Sequence, residues 1–200
     1  MRRALALARR GWGQTAPNPM VGAVVVRDGE VVGEGYHARA GEEHAERIAL
    51  TAAGARARGA TLYLTLEPCN HTGRQPPCAP MVAAAGLRRV VIAARDPNPE
   101  AAGGIELLER AGVEVVVGVE EDAARELNAA FFHRFASDRP WVILKLAVSL
   151  DGAIADAARS RGWLSGRAAR REVHRLRAGC DAIAVGIGTA IADDPLLTVR

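Results

Sequence analysis

The sequence predicts an α/β protein in which helices cover both faces of a sheet. Short runs rich in Val, Ile and Leu alternate along the chain with longer stretches rich in Ala, Glu and Arg. The apolar runs have the length of buried strands and are bounded by Gly, Pro or Asp, whereas the longer stretches have helical composition. This alternation is typical of layered α/β folds. With 200 residues, 49% of them hydrophobic, the chain is long enough for one complete domain and part of another.

The first domain is predicted to begin with a helix over residues 1–10 and to continue through a rigid turn at Ala16–Pro19. Asp28-Gly29 lies between two Val-rich runs, which is a strong signal for a β-hairpin. The predicted strands are Val21–Val26, Val31–Tyr36, Thr61–Leu66, Val90–Ala93 and Val113–Val117. The later predicted helices are His44–Arg56, Ala79–Ala85, Ile105–Arg110 and Glu120–Phe135. We therefore expect a three-layer α/β domain over residues 1–138.

A second composition begins at Asp138-Arg139-Pro140, and we assign residues 139–200 to a second domain. Trp141–Gly152 opens with an apolar run typical of a buried strand and leads into a turn. A helix over Ala168–Arg177 and a strand over Ala182–Val185 are predicted to follow.

Composition and charge exclude several classes of function. The net charge is +3, aromatic residues make up 4% of the chain and the arginines are scattered, so no nucleic-acid partner is predicted. No apolar run has bilayer length, so no membrane partner is predicted. The apolar stretch near the N-terminus is too short for a signal peptide and is closed by Arg9-Arg10. Two of the three cysteines have metal-binding context, so we expect a reduced, cytoplasmic protein in which Cys180 is a small buried residue.

Three short motifs, His44-Ala45-Glu46, Pro68-Cys69 and Pro77-Cys78, supply a catalytic zinc site. One His and two Cys leave the fourth position of a tetrahedral zinc open for water, whose pKa falls to about 7. H-x-E followed by P-C-x-x-C is the signature of zinc deaminases of nucleobases, in which the Glu moves protons; this chain has eight residues between the cysteines where that pattern has two. We therefore predict His44, Cys69 and Cys78 as zinc ligands and Glu46 as the catalytic residue. A disulfide between the two cysteines is the alternative, which a reducing cytoplasm disfavours.

The spacing of these residues leads to three further expectations. Side chains two apart on a helix diverge by about 200°, so His44 would ligate from the helix end while Glu46 approaches the water. The positive end of a helix dipole would favour a thiolate at Cys78. The eight residues between the cysteines must bulge and return, and among them His71 and Arg74 are suited to a substrate phosphate.

The segment from Glu67 to Cys78, E-P-C-N-H-T-G-R-Q-P-P-C, resembles the E-P-C-x-H-x-G-R-x-P-P-C pattern of the bifunctional riboflavin-biosynthesis deaminase-reductase family. The resemblance implies a three-layer, cytidine-deaminase-like fold for the first domain. The deaminase substrate contacts that it implies are Asn18, on the pyrimidine, together with His37, His71, Arg74, Asp96 and Asn98. Asn18 and the Asp96-Pro97-Asn98-Pro99 segment are equally typical of turns.

Lys145 to Gly152 resembles the K-x-x-x-S-L-D-G start of the reductase half of the same family. The resemblance implies the start of a dihydrofolate-reductase-like α/β domain that takes hydride from NADPH. The NADPH contacts that it implies are Ala147, Trp163, Thr189 and Asp193, and the reductase substrate contacts are Arg177, Leu197 and Arg200. Because the family's reductase half is longer than residues 139–200, we expect an incomplete reductase. Association through this half leaves a homodimer open.

The predicted function is zinc-dependent deamination of 2,5-diamino-6-(5-phosphoribosylamino)pyrimidin-4(3H)-one to 5-amino-6-(5-phosphoribosylamino)uracil in riboflavin biosynthesis. NADPH-dependent reduction of the ribosyl group is expected only where the remaining reductase residues are present. Two alternatives stay open. A tRNA or single-stranded DNA deaminase would share the zinc chemistry but would need aromatic stacking platforms and a basic channel. A non-catalytic zinc-stabilised module would need a fourth protein ligand, for which His71 is the candidate.

Overall fold

The computed structural model describes residues 1–156 and 164–199. The chain divides into two compact units, Met1–Trp141 and Val142–Arg200. The first unit contains a five-stranded sheet with helices on both of its faces. The predicted domain limits, 1–138 and 139–200, remain a proposal.

The sheet has the strand order β2-β1-β3-β4-β5. The strands are β1 (Gly22–Arg27), β2 (Glu30–Tyr36), β3 (Thr61–Leu66), β4 (Arg89–Ala94) and β5 (Glu114–Val117), so each predicted strand is confirmed to within one residue at either end. β1 runs antiparallel to β2 and β3, whereas β4 lies parallel to both β3 and β5. The hairpin turns at Asp28 and Gly29, which both have positive φ. Two-residue turns of this type match the twist of the flanking strands.

Helices cover both faces of the sheet, which confirms the three-layer prediction. They are α1 (Arg2–Ala8), α2 (Ala45–Ala53), α3 (Cys78–Ala84), α4 (Gly104–Arg110), α5 (Glu121–Leu127) and α6 (Ala129–Ala136). α2, α3 and α4 bury one face, where Leu64 and Ile92 are fully enclosed. α1, α5 and α6 bury the other face, around Leu5, Ala93 and Phe132. Ile92 and Ala93 are adjacent in β4 and point to opposite layers because strand side chains alternate.

Helix α2 packs unusually closely on β2 because β2 contains two glycines. A Cβ atom at Gly33 would lie 2.2 Å from the carbonyl oxygen of Ala49, and one at Gly35 would lie 2.5 Å from that of Ala45. No larger side chain fits these gaps without moving the helix. The two glycines therefore determine how near the N-terminus of α2 comes to the sheet.

The prediction of a single helix over Glu120–Phe135 is wrong, because α5 and α6 are separated at Asn128, which has φ −110° and ψ 29°. The buried Asn128 side chain accepts a hydrogen bond from Met20 N (2.8 Å) and donates one to Met20 O (2.9 Å). Both backbone groups of Met20 are thereby satisfied. Sequence periodicity does not reveal this break, because its cause is a residue more than a hundred positions away.

The second unit contributes α7 (Arg167–Ala178) and α8 (Ile187–Asp193). The helix predicted over Ala168–Arg177 is confirmed, but neither the run from Trp141 nor Ala182–Val185 is a strand. A strand needs a neighbour to pair its backbone groups, and the described part of this unit contains no strand. None of its described residues is buried, so Cys180 is exposed and not buried as predicted. Within the described ranges of the chain, no helix has the length and apolarity that crossing a bilayer requires.

Candidate active site

The candidate site lies at the edge of the sheet where the carboxyl ends of β3 and β4 meet. Parallel neighbours end at the same edge, so Cys69, just after β3, and Asp96, just after β4, come together. β1 is antiparallel to β3, so the residues that precede it, including Asn18, reach the same edge. β2 returns to this edge at its end, where His37 follows. The topology thus gathers residues that are widely separated in the chain.

His44, Cys69 and Cys78 form one compact group of donor atoms. His44 Nδ1 lies 3.6 Å from Cys69 Sγ and 3.4 Å from Cys78 Sγ, and the three donor atoms all lie within 4.8 Å of one another. Two sulfurs and an imidazole nitrogen are donors that zinc prefers, so the residues fit this metal. Among the described residues, the group contains neither His71 nor a carboxylate. Three protein donors leave one zinc position open, which favours a catalytic site over the closed site of a structural module.

Mutual hydrogen bonds among these donors shift their pKa values. Hydrogen bonding from the Cys78 thiol lowers the pKa of Cys69 to about 4, and the Cys78 backbone N–H also donates to Cys69 Sγ at 3.4 Å. The same thiol contact raises the pKa of Cys78, and a hydrogen bond with Cys69 raises the pKa of His44. The prediction of a thiolate at Cys78 concerns the zinc-bound site and stays a prediction. The amide at the start of α3 also stabilises a thiolate at Cys69.

Glu46 is the second residue of α2, and its side chain is only 3% exposed. Burial raises the pKa of Glu46 to about 7, which suits a group that accepts and returns protons near neutral pH. His44 precedes the helix, with extended backbone (φ −76°, ψ 156°), instead of forming its first turn as predicted. The divergence expected for helical neighbours therefore does not apply. Both side chains line the same cavity.

His37 orients the amide of Asn18. The His37 Nδ1 atom lies 3.1 Å from the backbone carbonyl oxygen of Glu43, which can only accept, so Nδ1 carries the proton. Burial lowers the pKa of His37 and keeps the ring neutral. The unprotonated Nε2 then accepts a hydrogen bond from Asn18 Nδ2, 3.1 Å away. This bond determines which end of the Asn18 amide faces His37 and which end faces the cavity.

A cavity of about 620 Å³ adjoins the donor group, a size typical of small-molecule sites. The predicted deaminase residues that line it are Asn18, His37, His44, Glu46, Cys69, His71, Arg74, Asp96 and Asn98. Cys78 is 1% exposed. The structure therefore brings all the predicted deaminase residues to one place, and their individual roles remain proposals.

The loop between the two cysteines forms one wall of the cavity. Gln75 Nε2 donates a hydrogen bond to the carbonyl oxygen of Gly41 (3.0 Å), which holds this loop against the segment before α2. Gly41 has φ +91°, and an added Cβ there would lie 3.6 Å from Arg74 Nη1. The Nδ1 atom of His71 is buried without a hydrogen-bond partner among the described residues. A buried polar atom at the edge of a cavity is suited to a ligand that supplies its partner.

The turn interpretation of Asp96–Pro99 is confirmed, and the same turn lines the cavity. Asp96 Oδ1 accepts a hydrogen bond from Asn98 N (2.9 Å), and Asn98 Oδ1 accepts one from Glu100 N (3.1 Å). Burial is the main cause that raises the pKa of Asp96 to about 6. The turn and binding interpretations are therefore compatible.

Sequence reasoning missed a further wall of the cavity, on α6. Phe131, Arg134 and Phe135 line it, and the rings of Phe131 and Phe135 are in contact, with centroids 5.2 Å apart. Their spacing along one helix face could have indicated a shared surface. Only the packing of α6 shows that this surface faces the donor group. Glu67 also lines the cavity, although its place in the E-P-C motif does not by itself indicate a role.

The described residues implied for the reductase lie on separate elements of the second unit, unlike those of the deaminase site, which lie together at one cavity. Thr189 and Asp193 lie on α8, Arg177 lies on α7 and Ala147 lies in a segment without regular structure. Arg177 Nη1 donates to the carbonyl oxygen of Thr198 (3.0 Å), next to Leu197, which has φ 51°. Trp163 and Arg200 lie outside the described residues. No described residue of this unit is buried, so its described residues form no enclosed cradle for NADPH.

Comparison with known proteins agrees with this architecture. Residues 1–94 match the family model for the cytidine and deoxycytidylate deaminase zinc-binding region, and residues 140–200 match that for the RibD C-terminal domain. The riboflavin biosynthesis protein RibD of Aquifex aeolicus is 51% identical over 100% of this chain and 56% of its own length. RibD of Escherichia coli is 52% identical over 100% of this chain and 55% of its own length. The chain thus spans about half the length of the curated relatives it matches.

Solved structures give the same result. Acinetobacter baumannii RibD superposes with a TM-score of 0.90 and is 48% identical, covering 100% of this chain and 56% of its own. A Thermotoga maritima diaminohydroxyphosphoribosylaminopyrimidine deaminase/5-amino-6-(5-phosphoribosylamino)uracil reductase gives a TM-score of 0.92 at 44% identity, covering 100% of this chain and 58% of its own. The similarity extends through both units and includes the segments that carry the donor group. The chain therefore belongs to the RibD family of riboflavin biosynthesis proteins.

Proposed function

We propose that this chain catalyses zinc-dependent hydrolytic deamination of 2,5-diamino-6-(5-phosphoribosylamino)pyrimidin-4(3H)-one. The products are ammonia and 5-amino-6-(5-phosphoribosylamino)uracil. The observation that carries the proposal is the convergence of His44, Cys69 and Cys78 with the buried carboxylate of Glu46 at one cavity. The likeness to the Thermotoga maritima deaminase/reductase supports the choice of substrate.

A zinc ion held by His44, Cys69 and Cys78 would supply Lewis acidity that lowers the pKa of water. Glu46 takes a proton from the attacking water, delivers it to the pyrimidine ring nitrogen and later assists the departure of ammonia. The overall exchange is water for ammonia at the carbon that bears the 2-amino group. Asn18, oriented by His37, binds the pyrimidine next to this carbon.

The ribosyl phosphate is bound on the side of the cavity formed by the loop between the cysteines. The positively charged guanidinium of Arg74 pairs with the phosphate, and the unpaired Nδ1 of His71 supplies a second polar contact. Asp96 and Asn98 contact the ribose from the neighbouring turn. The partner is therefore a small molecule. A donor set of two cysteines that are not joined by a disulfide is consistent with a reducing compartment and supports a cytoplasmic location. Self-association to a homodimer is a separate prediction.

The experiment measures ammonia release by the zinc-loaded protein with the diaminopyrimidine ribosyl phosphate, cytidine and a single-stranded oligonucleotide in parallel. We expect release from the first substrate alone. Release from cytidine or the oligonucleotide would keep the zinc chemistry but reject the substrate assignment. Absence of release from all of them would favour the non-catalytic alternative.

The matched variants are Glu46→Gln and Glu30→Gln. Glu46→Gln removes the proton acceptor without changing the size of the buried side chain, so we expect kcat to fall by about 10² to 10⁴ with zinc retained. Glu30→Gln makes the same change at an exposed carboxylate at the far end of β2 and should leave kcat unchanged. Full turnover by Glu46→Gln would reject the role of Glu46.

A further inference from the structure

We propose that Glu67 is a positioning residue that anchors the segment 95–103, so that substrate affinity depends on a side chain that need not touch the substrate. This segment carries Asp96 and Asn98. The inference deepens the proposed function and rests on it, because the substrate roles of Asp96 and Asn98 belong to that proposal.

Glu67 immediately precedes Pro68 and the metal ligand Cys69, and it is 4% exposed. Its Oε2 accepts a hydrogen bond from the backbone N–H of Asp96 (3.1 Å). Its Oε1 accepts two more, from Gly103 N (3.0 Å) and Ile105 N (3.2 Å). One buried carboxylate therefore accepts hydrogen bonds from backbone N–H groups near both ends of the segment 95–103.

These hydrogen bonds are possible because the N-terminus of α4 lies close to Pro68. A Cβ added at Gly104 would lie 2.0 Å from the carbonyl oxygen of Pro68, so only glycine lets the start of α4 come this close. At that distance the free N–H groups of Gly103 and Ile105 reach the Glu67 carboxylate. The chain between β3 and the first metal-binding cysteine is thereby joined directly to the neighbouring wall of the cavity.

The turn itself does not provide this anchoring. The hydrogen bonds of Asp96 and Asn98 side chains to Asn98 N and Glu100 N shape the turn but lie within it. The ion pair between Arg95 and Glu106 (3.1 Å) does cross to α4, but both side chains are more than half exposed, and exposed pairs hold a segment weakly. The backbone hydrogen bond from Asn70 N to Ala101 O (2.9 Å) also joins the middle of the segment to the residue after Cys69. The buried Glu67 carboxylate adds the contacts to Asp96 and Gly103, near the two ends.

Glu67→Gln is the informative substitution because it keeps the size of the side chain. Its single carbonyl oxygen can still accept from Gly103 and Ile105, but its NH₂ group then faces the N–H of Asp96, and two donors cannot bond. The variant should therefore release the Asp96 end selectively. Glu109→Gln, the same change at an exposed carboxylate of α4, is the matched control.

We expect Glu67→Gln to speed amide hydrogen exchange at Asp96 by about tenfold, while exchange at Gly103 and Ile105 changes less. The KM for the diaminopyrimidine ribosyl phosphate should rise by about tenfold with kcat and zinc content unchanged, because contacts remote from the reacting carbon bind ground state and transition state alike. In an Asn98→Ala background the same substitution should change KM less, since both variants disturb one contact.

Unchanged exchange at Asp96 or an unchanged KM would overturn the proposal. Loss of zinc, or a fall in kcat without a change in KM, would assign Glu67 to the metal site and overturn it as well. Glu67→Asp, which withdraws the carboxylate by one methylene, receives the same measurements if the Gln variant does not fold. Failure of both to fold would make Glu67 a stability residue and reject the positioning role. A wild type without turnover would reject the proposed function, whereas the exchange at Asp96 decides separately whether Glu67 anchors the segment.

Discussion

Replacement of Asn128 by Leu tests how α5 and α6 are joined to the segment before β1. The side chain of Asn128 is 5% exposed and pairs both backbone groups of Met20, at 2.8 and 2.9 Å. Leu has the same branched shape and the same number of heavy atoms, so the substitution leaves no large cavity but leaves two buried polar groups unpaired. Each unpaired group costs about 1–3 kcal/mol, so we expect a loss of about 2–6 kcal/mol in the free energy of unfolding.

The measurement is urea denaturation of the zinc-loaded protein, followed by far-ultraviolet circular dichroism. Asn128→Asp should also be destabilised, because an ionised carboxylate can accept from Met20 N but lies buried beside Met20 O, to which it cannot donate. Asn70→Ala truncates an exposed asparagine and should cost little. If the free energy of unfolding of Asn128→Leu fell by less than about 0.5 kcal/mol, the reasoning would be refuted. Leaving both buried backbone groups of Met20 without a hydrogen bond should cost more than that.

Three further predictions concern the site and its support. Because burial raises the pKa of Asp96 to about 6, the folded state binds this proton more tightly than the unfolded state, and stability is lost as the pH rises from about 4 to about 6. Asp96→Asn should therefore be about 1 kcal/mol more stable than wild type at pH 7 after allowance for solvent screening, and its KM should be higher. Urea titrations of both proteins at pH 4 and pH 7 measure this difference in stability. The same difference between variant and wild type at both pH values would contradict the prediction. Gly35→Ala would place a Cβ 2.5 Å from the carbonyl oxygen of Ala45 and 2.7 Å from the Cβ of Ile48, so we expect about 1–3 kcal/mol of destabilisation and weaker zinc binding, and an unchanged Tm and zinc affinity would show that α2 can move freely. Cys78→Ser should lose zinc in a chelator competition because a hydroxyl is a poor substitute for a thiolate, whereas the exposed Cys180→Ser should retain it; equal retention would remove Cys78 from the ligand set.

The amino-acid sequence determined the chemistry and most of the local structure of the first unit. His44, Glu46 and the two proline-flanked cysteines could be identified because zinc and proton transfer require particular side chains, and these stand in short motifs. The strands could be placed to within one residue because apolar runs and the Asp28-Gly29 turn are local signals. Such signals depend on neighbours in the chain and not on the rest of the fold.

Tertiary structure decided the features that depend on distant contacts. The break at Asn128 exists because Met20, in another part of the chain, presents two backbone groups that need partners. The predicted strands from Trp141 and over Ala182–Val185 do not form in the described residues, because an apolar run becomes a strand only beside another strand. The position of α6 beside the cavity likewise cannot be read from neighbouring residues in the chain. The same holds for the hydrogen bonds of Glu67 to the segment 95–103. The sequence thus determined which groups can do the chemistry, and only the packing of the chain decided what surrounds, orients and anchors them.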